Sequence, residues 1–111
     1  MGTIRAKLSM SHLDAAREMV ASGTGDGTIF ADDKTDGLVL RVRKTAAAFS
    51  LKYAGNTRRL GSLSPNAKGD IKAGEIQTVQ AARDLADKVR ALMKDGTDPT
   101  AFISGKVAGK S

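Results

Sequence analysis

Cysteine and tryptophan are missing from this 111-residue chain, and histidine and tyrosine occur once each, as His12 and Tyr53. Without cysteine there is no disulfide, no thiolate metal centre and no cysteine nucleophile. One histidine leaves no partner for a zinc pair and no frame for a hydrolytic triad. No apolar run reaches the 18 residues of a membrane helix. The opening Met1-Gly2-Thr3-Ile4-Arg5 also lacks the hydrophobic stretch that follows the charge of a secretory signal. The expectation is a cytoplasmic protein with no cofactor, no metal and no chemistry of its own.

A second absence is local. From Gly37 to Leu63 there is no aspartate or glutamate, while Arg41, Arg43, Lys44, Lys52, Arg58 and Arg59 all fall there. The chain carries 18 basic and 12 acidic residues, a formal +6, so the sequence outside this stretch balances at 12 against 12. Net charge alone fits many inert proteins; an excess confined to one segment suits a polyanionic partner better.

With 41% hydrophobic residues, the chain is long enough for one core and too short for two ordinary domains. Ser11 to Ala21 spaces Leu13, Ala16 and Val20 at helical intervals, with Ser9 or Ser11 as N-cap and Gly23 beyond the end. Thr28 to Ala31 reads as a short leading strand before the turn-rich Asp32-Asp33-Lys34-Thr35-Asp36. Gly37 to Arg43, Ala48 to Ala54 and Thr57 to Ser62 alternate as half-buried strands do. Thr78 to Asp95 is an amphipathic helix with Val79, Ala82, Leu85, Ala86, Val89, Leu92 and Met93 on one face, capped by Thr78 and closed by Gly96 and Pro99. Ser64 to Gln77 reads as a loop. The expected fold is α+β: a three-stranded antiparallel sheet packed on the C-terminal helix, with a short N-terminal helix.

A two-residue turn at Gly55-Asn56 sets a register. It places Tyr53 against Arg58, Lys52 against Arg59, Leu51 against Leu60 and Ser50 against Gly61. Pairing Val42 with Phe49 then sets Leu40 against Leu51 and Arg41 against Ser50. One face collects Leu38, Leu40, Val42, Phe49, Leu51, Tyr53 and Leu60; the other collects Val39, Arg41, Arg43, Ser50, Lys52, Thr57 and Arg59. Arg58 falls on the core face near the edge, positioned to stack on Tyr53 or to reach around to a partner. Lys52 directly opposite Arg59 is unfavourable by itself, and a face that tolerates the pair points to an anion. An ordinary solvated face is the plain alternative.

For the exposed face, Arg41, Arg43, Lys52 and Arg59 are candidates to neutralise phosphates, and an arginine in a major groove can hold guanine bidentately. Single strands are gripped by aromatic platforms, but Phe49 and Tyr53 fall on the core face, so duplex DNA is the expected partner. The remaining motifs are weak. His12 has Ala16 at i+4 and no second ligand; Asp32, Asp33 and Asp36 lack the glycine and glutamate of a calcium loop and read as a turn. Gly23-Thr24-Gly25-Asp26-Gly27 lacks the lysine of a P-loop, and Tyr53 has no base beside it to serve as a nucleophile.

The run from Phe30-Ala31-Asp32-Asp33-Lys34-Thr35-Asp36-Gly37 through Leu38-Val39-Leu40-Arg41-Val42 resembles the amino-terminal domain of phage and genomic-island integrases. So do Phe49-Ser50-Leu51-Lys52-Tyr53, Gly55-Asn56-Thr57-Arg58-Arg59-Leu60-Gly61, and Thr78-Val79-Gln80-Ala81-Ala82-Arg83 with Asp95-Gly96-Thr97-Asp98-Pro99. The resemblance, to the arm-type DNA-binding domain of tyrosine recombinases, covers Ile29 to Pro99. It implies a three-stranded sheet that contacts arm-type sites beside the recombination core. DNA contacts then map to Arg41, Arg43, Lys52 and Arg59, with Thr57 and Arg58 secondary. The implied division is an N-terminal arm over residues 1–28, the DNA-binding domain over 29–99, and a linker over 100–111 toward core-binding and catalytic domains outside this chain. The Ser64 to Gln77 connection, with Lys68 and Lys72, is longer than usual for the family. The isolated domain is expected to be a monomer that assembles on DNA only as part of a parent integrase. A protein-interaction or regulatory module whose basic face docks an acidic partner is the competing reading.

Overall fold

The computed structural model describes residues 2–65, 69 and 74–97. Lys68 and Lys72, the Asp98-Pro99 pair and the tail over 100–111 lie outside the described residues. The described chain forms β1 (Gly2–Ala6), α1 (Met10–Ser22), β2 (Thr28–Asp32), β3 (Leu38–Val42), β4 (Ala47–Tyr53), β5 (Asn56–Leu63), β6 (Glu75–Ile76) and α2 (Val79–Lys94). The class is α+β with two helices, as the periodicities imply. The sheet, however, is a mixed one of six strands in the order β1-β2-β3-β4-β5-β6, not an antiparallel one of three.

The strands that enlarge it carry little sequence signal. β1 has one large apolar residue, Ile4, and pairs in parallel with β2 across the α1 crossover. β6 is two residues long and pairs in parallel with the end of β5, inside what reads as a loop. β2 is buried at Thr28, Phe30, Ala31 and Asp32, so it shows no clean alternation. All three are strands by virtue of their neighbours.

Both helices cover one face. Leu13 and Ala16 of α1, and Val79, Ala82, Ala86 and Val89 of α2, share a single core with Leu38, Leu40, Val42, Phe49, Leu51, Leu60 and Phe30. α1 lies over β3 and β4, and α2 over β4 and β5. Thr78 caps α2 by accepting a hydrogen bond from the Ala81 amide, and Gly23 closes α1 in the left-handed region. His12 accepts from the Ser9 amide through Nδ1 and packs its ring on Phe30, so it serves the helix start.

The turn between β4 and β5 is Ala54-Gly55, with φ of 51° and 83°, where Gly55-Asn56 was the expectation. Positive φ at both loop residues is the twist that a two-residue hairpin requires, and Ala54 accepts the associated strain. Each pair moves by two residues. Tyr53 faces Asn56, Lys52 faces Thr57, Leu51 faces Arg58 and Ser50 faces Arg59, and then an extra residue, Leu60, bulges so that Phe49 faces Gly61. The first hairpin moves likewise, pairing Leu38 with Leu51, Leu40 with Phe49 and Arg41 with Ala48. Up to the bulge the shift is even and returns each side chain to its own face, so that sorting holds while the pairing does not; beyond it Gly61 comes opposite Phe49 instead of Ser50. The opposition of Lys52 to Arg59 disappears, and with it the argument drawn from like-charge repulsion.

Gly37 precedes β3 at φ of 85°, and a Cβ there would collide with the Lys52 carbonyl oxygen. The same residue's carbonyl accepts from the Lys52 amide at 2.9 Å. Gly37→Ala is expected to cost roughly 2–3 kcal/mol, the sum of a strained φ and a displaced strand. Urea denaturation checks this; a loss below about 0.5 kcal/mol, within the ordinary range of surface substitutions, would contradict it.

Candidate nucleic-acid interface

No element among the described residues covers the second face of the sheet. Strand alternation brings to it Thr3 and Arg5 from β1, Ile29 and Ala31 from β2, Val39 and Arg41 from β3, Ala48, Ser50 and Lys52 from β4, and Thr57 and Arg59 from β5. Arg43 follows β3 on the same side and is exposed, its amide closing the hairpin on the Ala46 carbonyl. Lys52, Thr57 and Arg59 are exposed, whereas Arg41 is half-buried in the middle of the sheet. Among the described residues, none of Arg41, Arg43, Lys52 and Arg59 has a carboxylate within 4 Å. Arg59 donates to the Ser62 hydroxyl at 2.6 Å, and Arg41 keeps a buried Nε with no acceptor.

Arg58 stands apart from these. It lies opposite Leu51 on the core side, half-buried, with its Nε also buried and without an acceptor. Tyr53 faces Asn56. The structure thus brings Arg41, Arg43, Lys52, Thr57 and Arg59 onto one face and leaves Arg58 on the other.

Beneath the cations the floor is made of small side chains. Arg5, Ala31, Val39, Ser50 and Arg59 are aligned residue to residue, forming one row across five strands with an arginine at each end. A depression of about 400 Å³ lies along it, lined by Thr3, Arg5, Ala31, Val39 and Lys52 among others. A second, of about 260 Å³, lies between Arg41, Arg43, Ala48, Ser50 and Arg59. Arg5 is absent from the sequence-based candidates because β1 has no alternation from which to place it.

Other arginines serve the fold. Arg83 donates through Nε to Asp32 Oδ2 at 2.9 Å and through its terminal nitrogen to Asp32 Oδ1 at 3.1 Å and the Leu8 carbonyl at 3.0 Å. Asp32 also accepts from the amides of Leu8, Lys34 and Thr35. Burial pushes its carboxyl up. The Arg83 hydrogen bond, the Leu8 and Lys34 amides and the Arg83 charge outweigh burial and hold it at about 2, below the ordinary 3.8. The same bond raises Arg83 above its ordinary value. Arg17 of α1 donates to the carbonyls of Ser64 and Gln77, tying that helix to the ends of β5 and β6. Arg90 donates to the Asp36 carbonyl and pairs with Asp87. Arg17, Arg83 and Arg90 on the helical side are thus engaged in structure, in contrast with the four on the bare face.

One face of the sheet is covered by helices; the other, uncovered among the described residues, is lined with small side chains and cationic. The family model of the Arm DNA-binding domain, an arm-type DNA-binding domain found in phage integrases, matches residues 8–103. The chain belongs to that family, and duplex DNA is the partner the family implies. No curated protein and no solved structure matches the chain. The matched region takes in α1 and leaves β1 outside it. Among the described residues no helix is long and apolar enough to cross a membrane, and no cluster of histidine, aspartate and glutamate is placed to hold a metal ion.

Proposed function

We propose that the bare face of the sheet binds arm-type sites on duplex DNA and so positions a parent tyrosine recombinase of a phage or genomic island on its attachment DNA. Arg41, Arg43, Lys52 and Arg59 are the principal contacts, with Thr57 secondary on the same face and Arg58, on the opposite face, secondary only by reaching around to the partner. The observation that carries this reading is the set of cations without a carboxylate partner among the described residues, on a face that no described element covers, in a chain of the Arm DNA-binding domain family. Exposed Arg43, Lys52 and Arg59 are suited to phosphates, which fix register on the duplex without reading sequence. Half-buried Arg41, held over small neighbours in the middle of the sheet, is suited to a base edge. Cleavage and rejoining belong to core-binding and catalytic domains of the parent.

A salt titration tests this. Three phosphate contacts predict that log Kd for any duplex rises with log salt at a slope of about 2.7, taking about 0.9 for each phosphate. A randomised duplex pool should also yield a preferred site that retains an advantage at high salt. A slope near zero, or binding to an acidic protein in preference to duplex, would count against DNA as the partner of this face.

A further inference from the structure

The row Arg5, Ala31, Val39, Ser50 and Arg59 has a dimension that duplex DNA can be measured against. Its ends lie on β1 and β5, four strand spacings apart in the sheet order, or roughly 19 Å at about 4.8 Å per spacing. A major groove is about 12 Å wide. With the strands running along the groove, the row crosses it. Its small central residues then face the opening, and an arginine overhangs the phosphate wall on each side. Arg59 supplies one wall. The other end is Arg5, whose side chain is 67% exposed and whose ion pair with Asp33 is a loose 4.0 Å contact between two solvated groups. Such a pair contributes little to stability and leaves the guanidinium available to a stronger anion. We propose that Arg5 is a phosphate contact for duplex DNA, opposite Arg59 across the row. The DNA-facing surface then begins at β1, upstream of the residues 8–103 that define the family match.

This assignment rests on the sheet-face reading and adds a fourth contact-bearing strand to it. A surface confined to β3, β4 and β5 has cations over one wall and the middle of the groove only. Adding β1 makes the contact two-sided, which fixes rotation of the sheet about the groove as well as its position. Asp33 then acts as a competitor, holding Arg5 when DNA is absent.

The test uses the whole chain and two short duplexes of unrelated sequence. Arg5→Ala is expected to weaken binding to both by about 5- to 10-fold near 0.1 M salt and to lower the salt slope by about 0.9, as Arg59→Ala should. Arg5→Lys should restore most of the affinity and the slope, which a mere loss of packing would not allow. Asp33→Asn should tighten binding by freeing Arg5. Thermal melting of each variant keeps loss of fold apart from loss of contact. If Arg59→Ala weakens binding while Arg5→Ala and Asp33→Asn behave as wild type, β1 is outside the interface and the proposal is wrong. If neither arginine matters, the sheet-face reading itself falls, and this assignment falls with it.

Discussion

Asp32→Ala should destabilise the fold by about 3–5 kcal/mol, because it leaves the guanidinium of Arg83 buried without its counter-charge. The side chain of Asp32 is fully enclosed and that of Arg83 is 12% exposed, so water replaces little of what is lost. The carboxylate also receives the amides of Leu8, Lys34 and Thr35, which join the β1–α1 connection to the β2–β3 turn. Removing it unpairs donors from three elements at once. Replacing both partners, as in Asp32→Ala with Arg83→Leu, should recover part of the loss because no bare charge remains. Urea denaturation of the two variants measures this, and a single-mutant loss under about 1 kcal/mol would show the pair to be incidental.

The same pair predicts an acid limb. A carboxyl lowered from 3.8 to about 2 favours the folded state fully when the pH is above its ordinary value, and that contribution is lost as pH falls toward 2. At about 1.4 kcal/mol for each unit of pKa, its size is about 2 kcal/mol. Stability should therefore decline between about pH 5 and pH 2 in the wild-type chain. In Asp32→Asn this component should be missing, so the gap between the two proteins narrows with acid. A gap that stays constant down to pH 2 would assign the acid sensitivity to other carboxylates.

Reversing Arg41, Arg43, Lys52 and Arg59 together to glutamate is expected to lower duplex affinity on the order of 10³-fold, at about 1 kcal/mol for each contact, while the fold persists. A control separates the face from the overall charge. Lys52→Glu with Arg59→Glu changes net charge by the same amount as Lys88→Glu with Lys94→Glu, whose lysines are exposed on α2. The sheet pair should abolish most of the salt-dependent affinity and the helix pair little of it. Equal losses would reduce the effect to bulk charge, and quadruple reversal with unchanged affinity would remove the sheet from the interface.

What the sequence makes legible depends on how locally each feature is encoded. The Thr78 cap and the spacing of Val79, Ala82, Ala86 and Val89 specify α2 without help from the rest of the chain. Alternation in β3, β4 and β5 sorts side chains by face, and the sorting survives a register that slips by two. The register itself depends on Ala54, a residue with no intrinsic preference for positive φ, and on the Leu60 bulge, which arises where Phe49 fills the core beside Gly61. β1 and β6 exist because β2 and β5 offer free edges, a condition invisible within Gly2–Ala6 or Glu75–Ile76. Asp32 reads as one of several turn aspartates. A faint clue to its partner is Arg83, which follows Val79 by four residues and precedes Ala86 by three, on the margin of the apolar face of α2.

The helices cover one side of the sheet and leave the other open, and every strand residue from Val39 to Arg59 belongs to one side or the other. Inward positions hold the molecule together; their outward neighbours, on the proposed reading, meet the DNA. The two demands on this domain are written at alternate residues of the same strands. If the proposed face binds DNA, mutational drift can recode the target at Arg41, Ser50, Lys52, Thr57 or Arg59 one position at a time, with Leu40, Phe49 and Leu51 left as they are. A lineage of such domains can diverge in the sites it recognises faster than in the architecture that presents them.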